Sequence, residues 1–279
     1  RVAVTPYTTL LPALADDGGG KAPGRLRAPT PRQESTMKPF LLLQARQPDD
    51  PMRAHEHGCF AAAMQIEADA IGAVDVVARA PTAADLQGVK ALLIGGSGNF
   101  SARGDEPWLH AAMAFLREHV IEPGRPMFAV CFGLQLLGRT LNVDVINDPD
   151  HREVGTFELT RTDEAANCPL FGDLPPTFWA QQGHNDRVVA LPPGTTRLAF
   201  NSNAPVQAMR VDGKPIWATQ FHPELTREDN ATRYRRYISA YGGGYENDED
   251  DPILNSMRET PHPTALLHRF SQMVLQGQV

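Results

Sequence analysis

The stretch 126–141, PMFAVCFGLQLLGRTL, constrains the fold of this chain more than any other. An apolar run over 127–130 ends at Cys131, and beyond Gly133 the residues Leu134, Leu137 and Leu141 fall on one helical face. The pattern reads as strand, sharp turn, helix. A cysteine at such a turn is held out of the sheet, and N–H groups at the helix start can stabilise both its thiolate and a developing oxyanion. The turn closes only around small neighbours, which Ala129 and Gly133 supply. A lone cysteine among apolar residues is more often an inert core residue. The remainder of the chain has to decide between the two.

On either side, apolar runs of strand length alternate with amphipathic segments. Strands are predicted at 40–45, 74–78 and 89–94, the last ending in Gly95-Gly96, and helices at 52–68 and 108–119. This alternation predicts an α/β architecture, a mostly parallel sheet with helices on both faces, in which ligands sit at the carboxyl ends of strands. From 154 onward the pattern changes to short strands at 154–160, 177–180, 187–190, 197–200, 206–211 and 216–220, punctuated by turns such as Pro192-Pro193-Gly194 and Asp212-Gly213. They predict an antiparallel addition to the sheet. A helix over 226–241 comes next, with Tyr234, Tyr237, Ile238 and Tyr241 on its buried stripe and glycines at 242–244 to stop it, and a closing helix is predicted over 264–276.

With 279 residues and 42% hydrophobic composition the chain can bury a full core. A net charge of -7 argues against nucleic acid or an anionic membrane as its main partner, and no apolar window is long enough for a membrane span. Three widely separated cysteines, Cys59, Cys131 and Cys168, do not suggest a disulfide framework, so a reducing cytoplasm is expected. The first 36 residues, rich in Pro, Gly, Thr and Ala, read as a loosely ordered extension without the features of a signal peptide, and Met37 marks the expected start of the folded unit. That unit is expected to run from 37 to 279, with a core over 37–241 and a C-terminal loop and helix over 242–279. The acidic run 246–251 reads as solvated surface, and Cys168 as structural. His55, His57 and Cys59 have the chemistry of metal ligands, but no second ligand pair stands at useful spacing, so no metal is expected.

A cysteine nucleophile needs a base, an orienting group for that base, and donors for the tetrahedral intermediate. His222 comes just after the strand at 216–220, Glu224 stands two residues on across Pro223, and such a carboxylate would fix the histidine tautomer and stabilise imidazolium. Gly95 and Gly96 allow a backbone N–H to approach a substrate oxygen.

Together the segments LLIGGSGNFS, PMFAVCFGLQLLG, HREVG, GHNDRVVALPPG and WATQFHPEL resemble, in order and spacing, the class I (triad) glutamine amidotransferases, most nearly stand-alone proteins similar to the glutaminase domain of GMP synthase. The resemblance covers about 37–241. It implies a flavodoxin-like fold, Cys131 as nucleophile, His222 as general base and acid, and Glu224 as orienting carboxylate. It further implies an oxyanion hole from the N–H groups of Gly96 and Phe132, and substrate contacts from Gly95, Gly133, Gln135, His184 and Asn185. The implied reaction is hydrolysis of the L-glutamine side-chain amide to glutamate and ammonia, which requires no metal or organic cofactor. Two departures stand out: Ala129 where the family often has Gly, and Ser97-Gly98-Asn99-Phe100 where the synthase domains usually carry Pro after the glycines. The second bears on acceptor and partner rather than on the triad. Because the segment after Tyr241 is too short for an ATP-pyrophosphatase domain, the acceptor half is expected to be a separate synthetase subunit, or none. Two alternatives remain open: a γ-glutamyl hydrolase or peptidase using the same triad on a larger γ-glutamyl compound, and a regulatory module that keeps the fold without turnover.

Overall fold

A computed structural model of the protein describes residues 38–241 and 247–279. The extension expected over 1–36, Met37 and the helix-stopping glycines at 242–244 lie outside the described residues.

Among the described residues nine strands form one sheet, parallel in one half and antiparallel in the other. Its parallel half is β2 (Ile71–Asp75), β1 (Phe40–Ala45), β3 (Ala91–Ser97), β4 (Met127–Val130) and β11 (Ile216–Thr219). Every residue of β1, β4 and β11 is buried, which is why these strands are continuous apolar runs rather than alternating ones. Helices cover both faces. On one, Phe60 and Met64 of α1 (Met52–Met64) share a core with Leu266, Leu267 and Phe270 of α7 (Pro261–Leu275). On the other, α2 (Pro107–Leu116) and α3 (Phe132–Thr140) bury Leu109, Phe115, Leu134 and Leu137.

Beyond β11 the sheet turns antiparallel through β10 (Ala208–Val211), β9 (Thr195–Phe200), β6 (Glu153–Arg161) and β7 (Thr177–His184), as the turn-rich middle of the chain predicts. A short α4 (Asp163–Ala166), capped by Thr162, joins β6 to β7. The strand expected at 187–190 is not part of this addition. It is β8 (Asp186–Val188), and it pairs with β5 (Val145–Asn147) in a separate two-stranded ribbon. β5 is too short for its alternation to be read in the sequence.

Other boundaries shift for local reasons. α1 ends at Met64 rather than 68 because Gln65 takes a left-handed conformation, φ 55°, that closes the helix. The strand expected at 74–78 begins at Ile71 and ends at Asp75, whose carboxylate accepts from the N–H of Val77 (3.0 Å) and of Ala78 (3.3 Å) and turns the chain. α2 gives way to a π-helical turn over Arg117–Ile121. α5 (Arg227–Tyr237) opens on a capping box between Thr226 and Asp229 and tightens to a 3-10 turn over Ile238–Tyr241. The acidic run is not all surface: Asp251 is buried, caps α6 (Pro252–Ser256) through the N–H of Ile253, and accepts from the Tyr234 hydroxyl at 2.8 Å. Among the described residues no helix is long and apolar enough to cross a membrane.

Candidate active site

Cys131 sits between β4 and α3 with φ 53° and ψ -102°, a backbone region that non-glycine residues rarely occupy and that is held only where the surroundings enforce it. Its N–H donates to Thr219 O at 2.7 Å and its carbonyl accepts from Gln135 N at 3.1 Å, so the neighbouring strand and the new helix grip both sides of the turn. Small residues are required here for measurable reasons. Ala129 is fully buried, and a Cβ on Gly133 would stand 2.8 Å from Ile94 Cβ and 2.9 Å from its carbonyl oxygen. The first helical N–H, that of Phe132, has no partner within α3 and belongs to the end of the helix that favours negative charge.

His222 and Glu224 lie just beyond β11, the strand beside β4, and are buried with Cys131. His222 Nδ1 donates to Glu224 Oε1 at 2.7 Å, which leaves Nε2 for the thiol side. Burial works to lower the imidazole pKa. The charges of Glu224 and Cys131 and hydrogen bonds to both outweigh it, and the pKa is pushed up to about 9. Burial likewise works to raise Glu224, but His222 and Arg233 bring it down to about 2. The protein environment therefore favours imidazolium beside carboxylate.

The other expected site residues are brought to the same place, in differing roles. Gly95 and Gly96 do not come after β3 but lie within its last residues. A Cβ on Gly95 would meet the Glu56 carboxylate, 2.5 Å from its Cδ, and one on Gly96 would stand 3.1 Å from His222 Cε1. These two glycines let the strand pass between a buried glutamate and the imidazole. Gln135 is buried and donates to the carbonyl of Asp186 at 2.8 Å and to Gln220 Oε1 at 3.3 Å, so its amide anchors the loop after β7. His184 is also buried, with Nε2 3.0 Å from Glu153 Oε2 and Nδ1 3.1 Å from Asp186 O. A cleft of about 310 Å³ opens over Cys131 and Phe132, walled by residues 97–101, by Asn185 and Asp186, and by Tyr237 and Tyr241.

Sequence reasoning misses three charged groups behind this cleft. Arg233 of α5 donates to Glu224 Oε1 at 2.8 Å. Arg46, at the end of β1, forms a two-pronged pair with Glu56 of α1, Nη2 to Oε1 at 2.9 Å and Nε to Oε2 at 3.2 Å, and reaches the Tyr237 hydroxyl at 2.7 Å. Burial works to raise the Glu56 carboxyl, but Arg46 holds it below its usual range. No pattern in the sequence separates Arg233 from its neighbours Arg235 and Arg236, which are exposed. The run into Arg46 reads simply as a strand meeting solvent.

The profile of the family Glutamine amidotransferase class-I matches residues 70–237, more than half of the chain. The chain belongs to the class-I glutamine amidotransferases. Among relatives of this amidotransferase are proteins called GMP synthase [glutamine-hydrolyzing], from Thermomicrobium roseum, 41% identical over 106 residues, and from Lacticaseibacillus casei, 36% identical over 108. These matches take in 38% and 39% of this chain but only 19% and 20% of those proteins, so the chain spans about a fifth of the relatives' length. A glutamine amidotransferase structure from Methylobacillus flagellatus superposes with TM-score 0.62 at 22% identity, over 86% of this chain and 93% of that one. One from Thermotoga maritima gives 0.63 at 19%, over 85% and 97%. At these identities the structures establish the shared flavodoxin-like fold of the amidotransferase.

Proposed function

We propose that the chain hydrolyses the side-chain amide of L-glutamine through a γ-glutamyl thioester on Cys131. The observation that carries this reading is the strained backbone at Cys131, φ 53°, at a strand end with the His222–Glu224 pair beside it. His222 Nε2 takes the thiol proton, and the thiolate attacks the amide carbonyl carbon. The N–H groups of Gly96 and Phe132 receive the oxyanion. As the C–N bond breaks, imidazolium passes its proton to the departing ammonia. Water, deprotonated by His222, then attacks the thioester, releasing glutamate and returning the proton to sulfur. Glu224 holds the imidazole in the tautomer that each step needs.

Within the cleft, Asn185 and the end of β3 would receive the amino-acid end of the substrate, and Gln135 and His184, both of whose ring nitrogens are already engaged, would keep that wall in place. The relatives' name supports ammonia delivery to a synthetase acting on a separate chain or segment. Free space in the cleft above Cys131 favours a second reading, a γ-glutamyl hydrolase working on a larger γ-glutamyl compound. Ammonia and glutamate release from L-glutamine, measured beside a γ-glutamyl dipeptide and with Cys131→Ala as control, separates the two. Release from glutamine that vanishes in the variant is the expected result, and cleavage of the dipeptide alone would replace the proposal with the second reading.

A further inference from the structure

Where α1 passes the start of α5, three side chains with metal-ligand chemistry meet. His55 and Cys59 stand one turn apart on α1, and Asp229 lies in the first turn of α5. Cys59 Sγ is 3.6 Å from His55 Nδ1 and 3.9 Å from Nε2, and His55 Nε2 is 3.2 Å from Asp229 Oδ1. One donor atom from each of the three lies within 4.8 Å of the other two. A tetrahedral zinc ion with ordinary bonds sets its ligand atoms about 3.3–3.6 Å apart, so small rotations of these side chains suffice. We infer that His55, Cys59 and Asp229 form a binding site for one zinc-like divalent cation, with its fourth position open to water.

The donor set is soft sulfur, imidazole and carboxylate, the combination zinc selects. A thiolate and a carboxylate together neutralise a dication, so the charge of Arg233, whose field acts on both Cys59 and His55, faces a neutral centre rather than a second cation. Asp229 is already oriented from behind: its Oδ2 accepts from Thr226 Oγ1 at 2.6 Å and from Thr226 N at 3.1 Å in the helix cap, leaving Oδ1 for the metal. Entry is open, because the side chains of His55 and Asp229 are 22% and 29% exposed while Cys59 closes the floor. The sequence motif H-x-H-x-C misleads about its own members. His57 points elsewhere, with Nε2 3.0 Å from Ile71 O, and the third ligand comes from a distant helix. A bound ion would tie α1 to α5 one helical turn before Arg233, the residue that grips Glu224.

The test uses the full chain with Cys131→Ala, so that the proposed nucleophile cannot contribute and the result is independent of the proposed reaction. Zinc binding is measured by competition with a chromophoric chelator, and cobalt(II) substitution is followed by absorption. The expected result is one zinc per chain and a thiolate-to-cobalt charge-transfer band. Adding Cys59→Ser should abolish the band, and adding Cys59→Ser or His55→Ala should weaken zinc binding by more than about 100-fold. Circular dichroism of each variant confirms that it is folded, and His55→Ala, at a partly exposed position, serves where Cys59→Ser does not fold. Zinc binding that is absent, or that survives both substitutions unchanged, overturns the inference.

Discussion

Arg46 and Arg233 each reach a buried glutamate close to Cys131, but only Arg46 is fully engaged. All three of its guanidinium nitrogens donate, two to Glu56 and one to Tyr237, and Glu56 takes a further bond from Gln44 at 2.9 Å. Arg233 holds Glu224 with Nη1 alone; its Nε and Nη2 have no partner among the described residues. Glu224 in turn divides Oε1 between Arg233 and His222. A saturated pair has one stable arrangement and acts as scaffold. A pair whose carboxylate is shared with an imidazole can let charge move between partners, which general acid–base chemistry needs.

Four substitutions, one of them used only in a double variant, would break or sharpen this contrast. The largest effect is expected from Glu224→Ala, because an imidazole that loses its orienting carboxylate also loses its tautomer: kcat for glutamine should fall by about 10⁴-fold with KM little changed. A loss of only a few-fold would mean that Arg233 and Glu224 are scaffold too. Next comes Arg46→Met. It strands Glu56 as an unpaired buried charge and should cost about 3–5 kcal/mol in urea unfolding, most of it recovered in Arg46→Met with Glu56→Leu. If the double variant were as unstable as the single one, the pair would matter for its packing rather than its charge.

The smallest effect is expected from Arg233→Leu, about 1–3 kcal/mol, and it should appear in the acid limb. Glu224 is depressed from 4.5 to about 2, so its contribution to stability is present above 4.5 and lost as the pH falls through about 2. Removing Arg233 takes away one of the two charges that cause the depression. The acid unfolding midpoint should therefore move to higher pH, and an unchanged midpoint would assign the depression to His222 alone.

How much of this could be read from the sequence depends on the range of each signal. The strands β1, β4 and β11 and the helix after Cys131 were legible because burial on both faces leaves unbroken apolar runs and a clean 3.6 period. The turn at Cys131 and the pairing of His222 with Glu224 were legible because each is local in sequence. Arg46, Glu56 and Arg233 were not, since each is an ordinary charged residue until three separate elements are folded against it. β5, and with it the true partner of β8, was lost for a related reason: three residues do not make a period. Asp229 shows the same limit, for its place in the capping box with Thr226 is local in sequence and says nothing of the histidine and cysteine opposite.

The packing of α7 against α1 has a consequence for how the protein is made. Ser271 Oγ donates to the Met64 carbonyl at 2.8 Å, and Phe270 packs against Phe128 of β4 at 5.6 Å between ring centroids. α7 thus lids a face of the sheet whose other members, α1 and β4, lie far upstream of it in the chain. Until α7 has been synthesised and docks, the apolar side of α1 and the middle of the sheet stay open to water, so the upstream part of a nascent chain would stay collapsed and in need of shielding.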